Sequence, residues 1–459
     1  MSAPVAETRL QGVDRAWLEM DTPHQPMVIS AVLEFAAGVE PDALLHRFVD
    51  TLMRYPRFRQ RADDHHSPAR WVNAGALDWA YHVHVQRRAL GKGAMREAVA
   101  QALGLGLDRE RPLWRITLFR RRGGGATLLF QVHHALADGI ALMHLLMQNV
   151  DGANGDSRPP SLAARSHGGP LGRVIDRMQV VNHALSGIAA IWKEDLHHPQ
   201  HIVEQFHQGR QTLATAARIL TLPDDNPDCL LAGTLSGRRV LAWENSVALE
   251  QVRRQAQAAG VKINDVLLSA LAAAFGRYVE CSDGRLDAAQ NLRVSIPVNL
   301  RPADDPQLGN CFGLVLLDLP IGERDPRRRL RRVSERMQAL KTSGEARVIL
   351  GGLAAAGHMP VAAEQRIVGM LSAKAAAVVS NLPGPKQAVR FAGSTVENLA
   401  FWPPQAGGIG IGVSLLSYAG RIRIGVSSDI AAMRNPQIVV DAFQRSLKKP
   451  LAKEKALST

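Results

Sequence analysis

The stretch "LLFQVHHALADGIALMHLL", residues 128–146, sets two adjacent histidines, His133 and His134, and an aspartate, Asp138, where an apolar strand-like run meets an apolar helix-like run. An imidazole titrates near neutral pH, so a histidine at such an edge can take a proton from a hydroxyl or thiol and later return it. Two histidines cannot both be the base. A histidine on an apolar strand is also a common hydrogen-bonded core residue, so spacing alone leaves both readings standing.

The elements that must position these groups fall into two blocks. In the first, "ISAVLEFA" (29–36) reads as a strand and "DALLHRFVDTLMRYP" from Asp42 as a helix. In the second, "VLLSALAAAFGRYV" from Val266 reads as a buried helix, "LRVSIPVNL" from Leu292 as a strand and "RRRLRRVSERMQAL" from Arg327 as a surface helix. Mixed strands and helices in both halves indicate two α/β blocks. A segment rich in glycine, proline and serine opens at Gly152 and has linker composition. The expected division is residues 1–151, a linker over 152–232, and residues 233–459. Within that linker Leu171, Val174, Ile175, Met178, Val181, Leu185, Ile188 and Trp192 share one helical stripe. The stripe either packs across the two blocks or lies on a lipid surface.

Composition narrows the partners. The chain has 459 residues, is 46% hydrophobic and 21% charged, and carries a formal charge of +13. Such a field favours a nucleic acid, an anionic lipid surface or a phosphorylated small molecule. With 5% aromatic residues and no basic run interleaved with stacking rings, nucleic acid is the weakest of these. Cys229, Cys281 and Cys311 are too few and scattered for a disulfide framework or zinc site, which fits the cytoplasm. No stretch approaches eighteen uninterrupted apolar residues and the opening lacks a signal-peptide core.

Two segments fail as ligand motifs. "RRRGGGATLLF" (120–130) has no lysine-serine pair after its glycines, which are expected to close a hairpin between "RITLFRR" and "ATLLFQV". His197, His198, His201 and His207 lack a carboxylate set, and Pro199 interrupts any helix there, so no metal is expected.

"HHALADG" resembles the HHxxxDG signature of the coenzyme A-dependent acyltransferase superfamily. "PLW" (112–114), "ND" (264–265), "PVNLR" (297–301), "GN" (309–310) and "SNLPGP" (380–385) follow in the order of the bacterial wax ester synthase/acyl-CoA:diacylglycerol acyltransferase family. The opening "DRAWLEMDTPHQPMVI" and the late "GIGVSLLSYAGRIRIGV" are similar to that family's ends. The resemblance implies an α/β fold of two chloramphenicol-acetyltransferase-like subdomains, each a mixed sheet with helices, joined by a helical linker. It implies acyl transfer from a long-chain acyl-CoA to a fatty alcohol, a diacylglycerol, or both, with acyl-CoA as substrate and no cofactor. Another O- or N-acyltransferase, or a condensation-type enzyme, would carry the same core. Lipid substrates also imply a place peripheral to the inner membrane or to lipid inclusions.

The same resemblance makes His134 the general base, with His133 beside it, and Asp138 a structural residue paired to an arginine. Arg301 is the first candidate partner and Arg293 the second. With no G-x-S-x-G nucleophile and no cysteine beside the histidines, direct transfer is expected. Gly139 either permits close passage of CoA or simply starts a helix. Asn264 either donates to the oxyanion or caps the helix that follows, with Asp265 supporting the loop. Pro112 and Trp114 line the acyl path or belong to the core. "SNLPGP" is expected to act mainly as a rigid turn after the strand "AAAVVS". Two lipid chains meeting at one histidine require a tunnel between the blocks, with "IALMHLLM" (140–147) as a possible wall or ordinary core.

Overall fold

A computed structural model of the chain describes residues 7–449 apart from 11, 39, 65–68, 148–149, 152–217, 220, 224–233, 283–284, 301–309, 311 and 357–360. Its strands are β1 (Thr8–Arg9), β2 (Val28–Phe35), β3 (Gln60–Asp63), β4 (Arg70–Asn73), β5 (Val83–Leu90), β6 (Trp114–Arg121) and β7 (Ala126–His133) in the first half. The second half holds β8 (Arg239–Ala248), β9 (Leu292–Asn299), β10 (Phe312–Leu319), β11 (Ala377–Pro383), β12 (Arg390–Phe391), β13 (Ser394–Trp402), β14 (Ile411–Tyr418) and β15 (Arg421–Asp429).

Two six-stranded mixed sheets result, ordered β12-β13-β2-β7-β6-β5 and β10-β9-β11-β14-β15-β8. In the first, β5 runs parallel to β6 while the other pairs are antiparallel; in the second, β11 runs parallel to both β9 and β14. The expected α/β architecture is present. The expected linker over 152–232 lies mostly outside the described residues; across the two halves, β12 and β13 of the second complete the first sheet, with Trp402 opposite Ser30 and Phe35 opposite Val396. Strand pairing joins chain segments that are far apart in sequence, and no local pattern shows it.

Strand β7 is buried at every residue because β2 and β6 pair with its two edges and apolar layers cover its faces. That burial explains its continuous apolar run. The glycines before it close the expected hairpin: Gly123, Gly124 and Gly125 all have positive φ, between 78° and 100°, a conformation that side chains with Cβ rarely adopt. In the second half the helix Ile263–Ser282 is buried over most of its length, whereas Pro326–Thr342 exposes Arg328, Arg331 and Arg332 and buries Arg329. No single helix among the described residues is long and apolar enough to cross a membrane.

A third cluster binds the halves together. Val32, Phe119, Leu129, Trp243 and Trp402 are buried in contact, and Trp243 meets Trp402 edge-on at 5.3 Å while its Nε1 donates to Glu34 at 3.2 Å. The amphipathic stripe of 171–192 and the histidines of 197–207 lie outside the described residues.

Candidate active site

Beyond β7 the chain turns through Ala135, Leu136 and Ala137, all buried, before the helix Gly139–Met147 begins. The turn is pinned to the first sheet: His133 N–H donates to Leu113 O at 3.0 Å and His134 N–H to Met27 O at 2.7 Å. Asp138 caps the helix, its Oδ1 accepting from Ala141 N–H at 2.8 Å, which satisfies one of the otherwise orphaned donors of the first turn.

The two histidines have different roles. The His133 ring is fully buried, and its Nδ1 accepts from Ala135 N–H at 3.1 Å. Its proton therefore sits on Nε2, which faces Asp21 Oδ2 at 3.7 Å, while the other Asp21 oxygen accepts from Met27 N–H at 2.7 Å. His133 holds the turn rather than facing either cavity described below.

His134 stacks on Trp17, with ring centroids 4.1 Å apart and planes 17° from parallel, and Phe312 flanks it at 5.3 Å. Its Nδ1 lies 2.9 Å from Asn310 Oδ1. The orientation of that amide is fixed by its nitrogen, which donates to His134 O at 2.8 Å and to Asp14 Oδ1 at 3.0 Å. Two acceptors on one side identify the nitrogen, so the oxygen accepts from His134 Nδ1–H and leaves Nε2 with a free lone pair. Burial pushes the His134 pKa down to about 4, against the opposing field of Asp138 and the Asn310 hydrogen bond, so the ring is neutral at pH 7.

Asp14, on the helix Gly12–Glu19, closes the chain of contacts. Burial raises its pKa to about 6, while Arg57 and the Asn310 hydrogen bond pull it down. Arg57 is itself pushed to about 10 by burial, and its guanidinium lies over the Trp71 ring at 4.3 Å. Asp14, Trp17 and Asn310 carry no site signature of their own in the sequence. Their only signal was membership of the segments "DRAWLEMDTPHQPMVI" and "GN".

Two apolar cavities flank β11. One, a cleft of about 800 Å³ including its open mouth, is walled by Trp17, Phe312, Leu314 and Pro403, with His134, Ser295 and Ser372 as its polar side chains apart from the Trp17 indole. The second, about 580 Å³ including its open mouth, is lined by Phe48, Phe130, Leu142, Met143, Leu382 and Leu416 among others. "IALMHLLM" thus supplies a wall. Gly139 also lines the second cavity, and a Cβ there would come within 3.1 Å of Leu382 Cδ1. The close approach at Gly139 is therefore between the two halves of the chain.

Other expected residues sit elsewhere. Trp114 is fully buried, stacks on His82 at 4.3 Å and donates through Nε1 to Phe58 O at 2.9 Å, so it belongs to the core, with buried Pro112 beside it. Neither lines a cavity at His134. Asn264 accepts from Asn381 Nδ2 at 2.8 Å and lines neither cavity. Asp265 is the capping residue, its Oδ2 accepting from Lys262 N–H at 3.2 Å and Ser334 Oγ at 3.0 Å. "SNLPGP" differs from the expected turn: Ser380 to Pro383 continue β11, and Gly384 N–H bonds Ser417 O at 2.9 Å. Parallel pairing with β14 draws those residues into the ladder. Arg293 pairs with Asp318 at 2.8 Å, and Arg301 lies outside the described residues. Among the described residues no three His, Cys, Asp or Glu side chains gather as metal ligands.

The wax ester synthase/diacylglycerol acyltransferase catalytic domain matches residues 10–267, more than half the chain, and the C-terminal domain of the same family matches residues 308–449. The chain belongs to this family. A Mycobacterium tuberculosis H37Rv protein named, by inference, a diacylglycerol O-acyltransferase is 25% identical across 97% of this chain and 90% of its own length. The fold is that of the wax ester synthase/diacylglycerol acyltransferase from Marinobacter aquaeolei VT8, with a TM-score of 0.65 at 20% identity over 96% of this chain and 98% of that one. The first condensation domain of the calcium-dependent antibiotic synthetase shares it at a TM-score of 0.60 and 17% identity, over 98% of both chains. As a member of the wax ester synthase/diacylglycerol acyltransferase family, the protein is an O-acyltransferase acting in lipid metabolism.

Proposed function

We propose that the protein moves a long acyl chain from acyl-CoA directly to a fatty alcohol or a diacylglycerol, with His134 Nε2 as the general base. The observation that carries this reading is the Asn310 clamp, which keeps the proton on Nδ1 and leaves Nε2 basic beside an apolar cleft. Nε2 takes the acceptor's hydroxyl proton as its oxygen attacks the thioester carbonyl. The C–S bond then breaks, and the imidazolium returns the proton to the CoA thiolate. The second cavity, next to Gly139, has the apolar lining an alkyl chain requires.

A lipid-borne acceptor calls for work at a lipid surface, and the exposed apolar residues support one. Leu105 is 57% exposed and Met370 50% exposed. Gly106, next to Leu105, abuts Pro26, and Gln25 bonds both Ile409 O and Gly408 N–H at 3.0 Å. On the other side, Gly407 packs on Ser372 and Val368, on the helix that carries Met370. Leu105 is thus linked through Gly106, Pro26 and Gln25, and Met370 through its own helix, to the loop containing Ala406 and Ile409, which lines the His134 cleft.

The test is incubation of the full chain with palmitoyl-CoA and either hexadecanol or a diacylglycerol, following free CoA and lipid products. Equal amounts of CoA and ester, lost in His134→Ala, are expected. An acyl-enzyme trapped by hydroxylamine would overturn the direct route, and ester formation only with small amines or alcohols would overturn the substrate class.

A further inference from the structure

On the outer side of the second half, a concave site of about 950 Å³ including its open mouth lies among the helices Ile263–Ser282, Pro326–Thr342 and Gln437–Lys448. Its wall carries Arg277, Arg324, Arg329, Arg445 and Lys449 and no carboxylate. None of its lining residues lines either of the two cavities flanking β11.

Arg329 is its most buried cation, only 6% exposed. Its Nε donates to Ser269 O at 3.0 Å and its Nη1 to Glu323 O at 2.8 Å, both backbone carbonyls. Among the described residues no carboxylate lies within ion-pair distance of it and no protein acceptor meets Nη2, although Glu323 and Asp325 act on it through space. A guanidinium withdrawn from water without a paired anion is costly, and an anion entering the site relieves that cost. At the rim Glu280 engages Arg277 at 3.4 Å and Arg324 at 3.1 Å. Arg445 and Lys449 have no carboxylate partner among the described residues. A phosphate group presents several acceptor oxygens and up to two charges, which suits a forked guanidinium at the base and two unpaired cations above it.

We infer that this pocket binds a phosphate group, either free or as the headgroup of an anionic lipid.

The experiment titrates the full chain with inorganic phosphate at low ionic strength by calorimetry. Saturable binding is expected, weakened at least roughly tenfold in the surface double variant Arg445→Gln/Lys449→Gln, since each charge-assisted contact contributes about as much as a tenfold change in Kd or more. Arg87→Gln/Arg88→Gln, on the exposed strand β5, should bind like the parent. Arg329→Gln should abolish binding if it folds, and the rim variant decides the matter if it does not. Flotation with phosphatidylcholine vesicles, with and without phosphatidic acid, separates the sources. Phosphatidic-acid-dependent flotation lost in the rim variant identifies a headgroup; calorimetric binding without flotation identifies a free phosphate. No saturable phosphate binding, or equal affinity in parent and rim variant, overturns the inference.

Discussion

Asn310 holds His134 at two points, accepting Nδ1–H through its amide oxygen at 2.9 Å and donating its amide nitrogen to the His134 carbonyl at 2.8 Å. One side chain thereby fixes both the tautomer and the position of the ring. Because Asn310 lies between β9 and β10 of the second half, the His134 ring is oriented across the junction between the halves.

His134→Ala should therefore lower acyl transfer by ~10²–10⁴-fold, the usual cost of losing a general base. Asn310→Ala should lower kcat while the ring remains, through a mixed tautomer population. His133→Ala should act mainly on stability, since that ring supports the turn. Steady-state CoA release measures all three. Near-normal turnover in His134→Ala with a dead His133→Ala would reverse the assignment.

Asp14 and His134 should give opposite dependences of stability on pH. The folded-state pKa of His134 is lowered from 6.5 to about 4, so the unfolded chain binds the proton first and stability falls as pH drops through that window. The folded-state pKa of Asp14 is raised from 3.8 to about 6, so its contribution is full below 3.8 and is lost as pH rises through 6. Each shift of about two units corresponds to roughly 3 kcal/mol, and in the parent protein the two nearly cancel. Urea unfolding of Asp14→Asn between pH 4 and 6.5 should show stability rising with pH, and His134→Ala should show it falling. Parallel curves for the two variants would refute the shifts.

Asp138 caps the helix that follows the turn after His134, and asparagine caps about as well as aspartate. Asp138→Asn should keep most of the melting temperature, whereas Asp138→Ala should lose ~1 kcal/mol. If asparagine proves as damaging as alanine, the charge itself matters, and the arginine pairing implied by the family resemblance becomes the better account.

Gly139→Ala would place a methyl group 3.1 Å from Leu382 Cδ1, the far end of a flexible side chain. The fold should survive, and the displaced leucine should narrow the second cavity, reducing turnover most with the longest acyl chains. Gly139→Ala/Leu382→Ala should restore it. A chain-length series of acyl-CoA substrates gives the comparison, and a uniform loss across lengths would separate this cavity from the acyl path.

Leu105→Asp/Met370→Asp should weaken binding to phosphatidylcholine vesicles carrying diacylglycerol while leaving the turnover of a short, soluble alcohol intact. Flotation and a soluble-substrate assay distinguish the two. Unchanged flotation would place the lipid contact elsewhere.

The sequence by itself determined the elements and the first half of the site. The buried run of β7, the glycine hairpin before it, and His134, Asp138 and Gly139 at its end are local, set by periodicity, backbone freedom and one contiguous motif. Tertiary structure alone decided which groups meet His134. Asp14, Trp17 and Asn310 come from three distant segments, and their convergence depends on packing that leaves no periodic trace. The same holds for Trp114, where one tryptophan suited core or acyl path until its Nε1 bonded Phe58 O, and for β13, whose pairing with β2 is long-range. Local propensity fixes what a segment forms; burial and hydrogen-bond pairing across the chain fix what it touches.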